Sequence, residues 1–482
     1  MKEFFKKTEN LLLILMFLPV ILIDYRMFSF DSYWMIQLGE EIFNNGVPTT
    51  MASNLVPTGD FIAQQWLTSL IIYIFYKFLG FGGTLLFAAI FYIINVYLFY
   101  CILKTITENI VLSRALSVLF SFFMVIFYTE NRPQIISYAI LLTTTLVLEK
   151  YVKTNNFKYL FILPILTCLQ INVQSSVWVI IFCFYMAYIF NLKIFTGKII
   201  KENKYNKKPL ILFVIISFFT MFINPYGYKN ILYIFNSLDD NIKYLSFEMQ
   251  ALSIENYGIF LLLIILILFC IIYFIKSKFT LRFLLLLLGT TLLFCINIRS
   301  CIYFFICSLF FISDYINEEI DIKIILEKIF GYAQITLPLL MIVLLAIRIA
   351  TVKNYTLNNF AIRGKIASNT NGIVEAIKED FKESDNPRVY CQFDIGGYLQ
   401  FNDCDVYLNS GLEPFLIKNN HNKDYIDEFL NLQFGRIDAK EFLDEYNFDY
   451  LVLKDTDFLC NYANENYDLI FTNNNLYLYR TN

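Results

Sequence analysis

The chain has 482 residues, 57% of them hydrophobic and only 16% charged, with a net charge of -3 and a mean hydropathy of +0.55. That much apolar surface exceeds what one globular core can hide, so the bilayer must serve as solvent and a wholly water-soluble enzyme is excluded. The near-neutral charge gives no electrostatic footprint for a nucleic-acid partner, and the single His421 argues against a histidine-based zinc site or a Ser/His triad.

Lys2, Lys6 and Lys7 precede an apolar stretch from Leu11 to Ile23 with no small-residue cleavage site after it. This reads as an uncleaved anchor with its N-terminus in the cytoplasm. Further basic segments at 104–114, 150–158, 198–208, 276–278 and 323–328 mark the inside loops. The apolar runs between them predict spans near 9–28, 82–103, 112–129, 134–152, 157–171, 174–195, 209–223, 256–276, 279–297, 299–315 and 329–350. About eleven transmembrane helices, an odd number, put the C-terminus outside the cell membrane. The short run from Trp66 to Leu79 ends in glycines and reads as an interfacial helix, so an outer loop over 30–81 carries helices lying on the leaflet.

Polar residues gather at the outer ends of these spans. Asp31 follows the first span beside Tyr33 and Trp34, where a carboxylate suits a base facing a lipid-linked substrate or caps the helix from Tyr33 to Phe43. Gln65 and Trp66 open the interfacial helix. Glu130, Asn131, Arg132, Pro133 and Gln134 form a tight turn in which Arg132 can grip a phosphate by two hydrogen bonds or pair with Glu130. Asn172, Gln174, Ser175 and Ser176 make an uncharged turn that suits sugar hydroxyls or satisfies backbone groups at a helix break. Asn224 to Gly227 stop the seventh span. Glu248 is a second outer carboxylate, a helper base or a solvated loop acid. Arg299 interrupts two apolar runs and is expected at the outer turn, paired or on a phosphate. Asp31 with Glu248 could also hold a divalent cation such as Mg or Mn, although two scattered carboxylates do not make a metal site.

Of the ten cysteines, Cys391, Cys404 and Cys460 lie in the tail and the rest in or beside apolar runs, without a C-x-x-C pair. The composition turns polar near Asn354, dividing the chain into a transmembrane domain at 1–352 and a soluble extracytoplasmic α/β domain at 353–482. In the latter, helices are expected at 372–382 and 423–432, strands at 388–392 and 406–409, and paired strands at 450–453 and 476–479. Gly396 and Gly397 are expected to make a turn.

Together these positions resemble the GT-C superfamily of membrane glycosyltransferases, in particular its bacterial branch that uses polyprenyl-phosphate-linked sugars. The likeness is carried by Asp31, Ser32, Tyr33 and Trp34, then Gly39, Ile42, Gly46 and Pro48, then Ser53, Asn54, Gln65, Trp66 and Leu67. It continues through Arg132, Pro133 and Gln134, Asn172, Asn224 to Gly227, Glu248, Arg299 and, in the tail, Phe393, Asp394, Gly396, Gly397 and Tyr398. The sequence departs from the pattern at Met35 and Gln174, where His is usual, and at Asn409 to Gly411, where an Asp-x-Arg element is expected. The resemblance implies a mainly α, GT-C-like polytopic bundle with Asp31 as catalytic carboxylate and the donor phosphate held by basic residues on the outer face. It implies a polyprenyl-phosphate-sugar donor and a glycan, lipid or protein acceptor. The competing expectation is a non-catalytic carrier, flippase or envelope-assembly protein on the same fold.

Overall fold

The computed structural model describes residues 2–23, 30–50, 55–56, 61–195, 198–202, 205–236, 250–252, 278–319, 372–383, 385–473 and 476–481. Glu248, Ser53, Asn54 and the spans expected at 256–276 and 329–350 lie outside these residues.

Helices α1 (Lys2–Phe17) and α2 (Phe30–Asn45) lead into α3 (Trp66–Thr107), α4 (Ile110–Phe127) and α5 (Gln134–Thr154). Among the described residues α3, α4 and α5 are long and apolar enough to cross a membrane, and four shorter apolar helical stretches accompany them. The total of about eleven crossings stays a sequence-based expectation. Helix α3 breaks at Gly80, where φ is +59°, a conformation that only glycine adopts without steric cost. Its Trp66–Leu79 half is therefore distinct from the half that follows.

Between apolar helices in lipid, close packing and buried polar contacts do the work that the hydrophobic effect does in water. Gly39 lets α2 sit directly on α3: a Cβ there would lie 2.2 Å from the Ser69 carbonyl oxygen. The Tyr92 and Ser121 hydroxyls share a 2.6 Å hydrogen bond between α3 and α4, and Asn95 Nδ2 donates to the Ile135 carbonyl of α5 at 2.8 Å. Phe99 stacks on Phe120 with centroids 4.1 Å apart.

Next come α6 (Ile162–Val173) and α7 (Trp178–Ile189). The expected single span at 174–195 is corrected here: the helix stops at Ile189, and strand β1 (Leu192–Phe195) pairs antiparallel with β2 (Lys198–Glu202) and with β3 (Lys278–Thr280). Helices α8 (Lys207–Thr220), α9 (Tyr228–Asn236), α10 (Leu281–Ile296) and α11 (Cys301–Glu319) complete the described bundle.

The C-terminal unit contains α12 (Ile373–Asp380), β4 (Arg388–Cys391), α13 (Phe393–Phe401), β5 (Asp405–Val406), α14 (Tyr425–Gln433), α15 (Ala439–Tyr446), β6 (Tyr450–Lys454), α16 (Phe458–Asn466), β7 (Asp468–Asn473) and β8 (Leu476–Arg480). Its sheet has the order β5-β4-β6-β8-β7, with β4 parallel to β5 and β6 and β8 antiparallel to β6 and β7. Central β6 is buried along almost its whole length, as expected of a strand covered on both faces. Gly396 and Gly397 lie inside α13 and not in a turn. Their small size serves close approach: a Cβ on Gly397 would stand 3.3 Å from both the Phe30 carbonyl oxygen and the Trp34 Cβ of α2. Tyr33 of α2 packs against Tyr398 and Phe401 at 5.0 and 5.3 Å between centroids, so the C-terminal unit sits on the bundle at the end where α2 lies.

Candidate active site

Asp31 occupies the first turn of α2, where a carboxylate is favoured by the helix dipole. The helix begins before the expected Tyr33, so Asp31 does not stand outside it as a cap. Its Oδ2 accepts from Arg132 Nη2 at 3.2 Å, while Arg132 Nε reaches Glu130 Oε2 at 2.9 Å. The α4–α5 turn that carries Arg132 is held against α2 by Ser32 Oγ, which donates to the Asn131 carbonyl at 3.4 Å. The expected pairing of Arg132 with Glu130 and its place beside Asp31 therefore coexist. Asn131 is fully buried, and both polar atoms of its side chain lack a hydrogen-bond partner among the described residues, as does Gln134 Oε1. Buried amides are rarely left so, and the pattern marks a place for water or a polar ligand.

A cavity of about 830 Å³ opens next to this cluster. Its polar end is built where helices begin or stop: Gln134 and Tyr138 on α5, Gln174 before α7, Asn297 and Arg299 between α10 and α11, and Tyr303 on α11. The walls are apolar side chains of α7 and α10, among them Phe182, Met186, Leu285 and Leu292. Asn297 shapes the turn by accepting from the Arg299 N–H at 2.9 Å, which brings Arg299 into the lining. Gln134 stands two residues after Arg132, so the polar end begins on the same turn as the charge cluster. Tyr138 and Tyr303 were not singled out in the sequence; each stands four residues beyond a polar lining residue, Gln134 and Arg299, and thus on the same helical face.

Other expected site residues have different positions. Trp66 Nε1 donates to Asn172 Oδ1 at 2.9 Å, and Asn172 Nδ2 donates to the Cys168 and Ile223 carbonyls. Asn224 Nδ2 closes its own turn on the Met221 and Gly227 carbonyls. Trp66, Asn172 and Asn224 thus tie α3, α6 and the end of α8 together and do not line the cavity. Gln65 stands at the start of α3 without a capping bond from its side chain, whereas neighbouring Gln64 donates through Nε2 to the Tyr233 hydroxyl at 3.2 Å. Gln174 reaches the cavity, with its Oε1 accepting from Ser137 Oγ at 2.9 Å. Met35 is buried. Asn409 Nδ2 donates to Gln400 Oε1 at 2.8 Å, and its Oδ1 accepts from the Gly411 N–H, which is loop-closing geometry. Trp34 stands one turn along α2 from Asp31, edge-on to Phe61, and does not line this cavity.

Of the two carboxylates expected to hold a divalent ion, Glu248 lies outside the described residues and Asp31 is engaged by an arginine. The Arg132 guanidinium already lies between the Asp31 and Glu130 carboxylates, and among the described residues no group of three or more His, Cys, Asp or Glu side chains converges there.

No family model matches the chain, and no curated protein matches it. Among solved structures it is similar to the archaeal oligosaccharyltransferase AglB from Archaeoglobus fulgidus in complex with an inhibitory peptide and a dolichol-phosphate. That match has a TM-score of 0.58 at 12% identity and covers 93% of this chain and 70% of that one. The same organism's oligosaccharyltransferase tethered to an acceptor peptide containing the NVT sequon gives 0.55 at 11% identity, over 93% and 69%. Its complex with Zn and sulfate gives 0.52 at 12%, over 92% and 68%. The chain shares its fold with these oligosaccharyltransferase structures. Its described part is a mainly helical apolar bundle with a small C-terminal sheet unit.

Proposed function

We propose that this chain is an integral membrane glycosyltransferase that moves a sugar, hexosyl or pentosyl, from a polyprenyl-phosphate donor to an acceptor on the extracytoplasmic face. One observation carries the reading: a cavity with long apolar walls has a polar end bearing Arg299 and Gln134, and Gln134 follows by two residues Arg132, which pairs with the accessible Asp31 carboxylate, 39% exposed. Apolar walls suit a prenyl chain, and the guanidinium suits its phosphate. The solved neighbours in complex with dolichol-phosphate or an acceptor peptide lend support by analogy of fold.

In this reading Asp31 accepts the proton of the acceptor hydroxyl as that oxygen forms its bond to the anomeric carbon. The bond from the anomeric carbon to the phosphate oxygen breaks, and the electron pair leaves with the lipid phosphate, whose charge Arg299 balances. Arg132 occupies one oxygen of Asp31, orients the carboxylate and leaves the other oxygen for the acceptor. Glu248 is a helper base. The second reading, a lipid-linked glycan carrier or assembly protein without chemistry, draws on Met35 and on the engagement of Gln174 with Ser137.

Purified protein in detergent is supplied with polyprenyl-phosphate sugars, and transfer is compared with Asp31→Asn. A fall in turnover of roughly 10²-fold or more with lipid binding intact is the expected result. Lipid binding without turnover in either protein selects the carrier.

A further inference from the structure

A second cleft, of about 390 Å³, opens where α2 meets the C-terminal unit, a volume in the range of pockets that take small ligands, roughly 300–1,000 Å³. Its aromatic side is Trp34 set edge-on against Phe61, with centroids 6.4 Å apart. Its polar side combines amides such as Gln37 and Asn386 with the carboxylates of Glu40, Glu41, Asp403 and Asp405. Among the described residues no lining residue is basic; Lys378 stands 3.9 Å from Asp403 without entering the lining. Gln37 Oε1 is buried and lacks a hydrogen-bond partner among the described residues. Burial pushes the Glu41 carboxyl above the usual carboxylate range, a cost that a cation or hydroxyl donor in the cleft offsets.

The cleft also has a direction. Trp34, Leu38 and Glu41 follow Asp31 along α2 at about one-turn intervals, so it begins one turn from the Asp31 carboxylate. Its charge has the wrong sign for the phosphate of a donor, which separates it from the cavity that holds Arg299.

We propose that this cleft is the acceptor subsite and takes a saccharide that is neutral or bears a free amine, while rejecting an anionic one. An aromatic face meets the C–H face of a sugar ring, the amides and carboxylates accept from or donate to its hydroxyls, and the acidic rim attracts an ammonium and repels a carboxylate. The inference rests on the transferase reading for the word acceptor, but its test does not need turnover.

The full chain in detergent is titrated, without donor, with three probes: the disaccharide of glucosamine, cellobiose and digalacturonate, followed by tryptophan fluorescence and saturation-transfer NMR. The expected order of affinity is amine, then neutral, then anion. In Glu41→Gln with Asp405→Asn, the advantage of the amine over cellobiose shrinks by roughly fivefold, as loss of a partly exposed ion pair predicts. Glu41→Gln alone gives the same direction should the double variant fail to fold. Absence of saturable binding by both the amine and cellobiose, preference for digalacturonate, or an amine advantage unchanged in the folded variants overturns the proposal. Saccharide binding with no turnover on any donor removes the transferase reading and leaves the cleft. Turnover with variant-insensitive acceptor affinity removes the cleft and leaves the transferase.

Discussion

Arg132 serves two carboxylates, Glu130 on its own turn and Asp31 on α2. Asp31, Arg132 and Arg299 stand out in the sequence because each is an ionisable residue at the border of an apolar stretch, where a charge without a purpose is costly. The Glu149–Arg282 pair was not legible in the same way. Glu149 merges with Lys150 and Lys153 into what looks like an ordinary charged loop, and its partner is far away in sequence. The two side chains are buried, 4% and 10% exposed, and joined by two hydrogen bonds of 2.8 and 2.9 Å, with the Tyr188 hydroxyl donating to Glu149 at 2.6 Å. Breaking such a pair strands a buried charge, whereas replacing both members does not. Glu149→Gln should therefore lower unfolding stability in detergent by about 3–5 kcal/mol. Glu149→Leu with Arg282→Met should recover most of that loss. Thermal unfolding of the three proteins checks this, and equal losses in both variants would show that the pair is not coupled.

Helix α2 is the element on which the site depends, since one side rests on α3 through Gly39 and another meets α13 near Gly397. The sequence made this helix visible through its aromatic and isoleucine positions, but nothing local in it announces which glycine faces which neighbour. Gly39→Val has no room beside the Ser69 carbonyl and should cost about 1–3 kcal/mol as overpacking. Because the displacement moves Asp31 relative to Arg132, the proposed function predicts that sugar transfer falls while binding of a polyprenyl phosphate persists. A variant with normal transfer kinetics would contradict that dependence. The ribbon of β1, β2 and β3 was missed for a related reason: β3 lies far along the chain from β1, and the pairing of short basic strands leaves no periodic signal of its own.

At the scale of the whole molecule, composition sets an apolar bundle apart from a polar tail, because the two compositions need different solvents. The strands at β4, β6 and β8 were legible as short apolar runs, whereas the docking of tail on bundle was not, being a matter of shape. That docking is aromatic: Tyr33, Tyr76 and Phe81 of the bundle surround Phe401, and Tyr33 also meets Tyr398. Aromatic pairs contribute about 0.5–1.5 kcal/mol each beyond the area they bury. Tyr398→Ala with Phe401→Ala should therefore release the tail, seen as faster proteolysis between bundle and tail and as two unfolding transitions in place of one. Unchanged cleavage would mean that other contacts hold the interface.

The same docking imposes an order in time. Helix α2 emerges well before α13, which covers Tyr33 and approaches Trp34. At roughly 5–20 residues per second the aromatic face of α2 waits on the order of tens of seconds for its cover. A nascent product that has not yet reached α13 carries Asp31 without the surface that braces its helix, so the brace arrives only once α13 has been made.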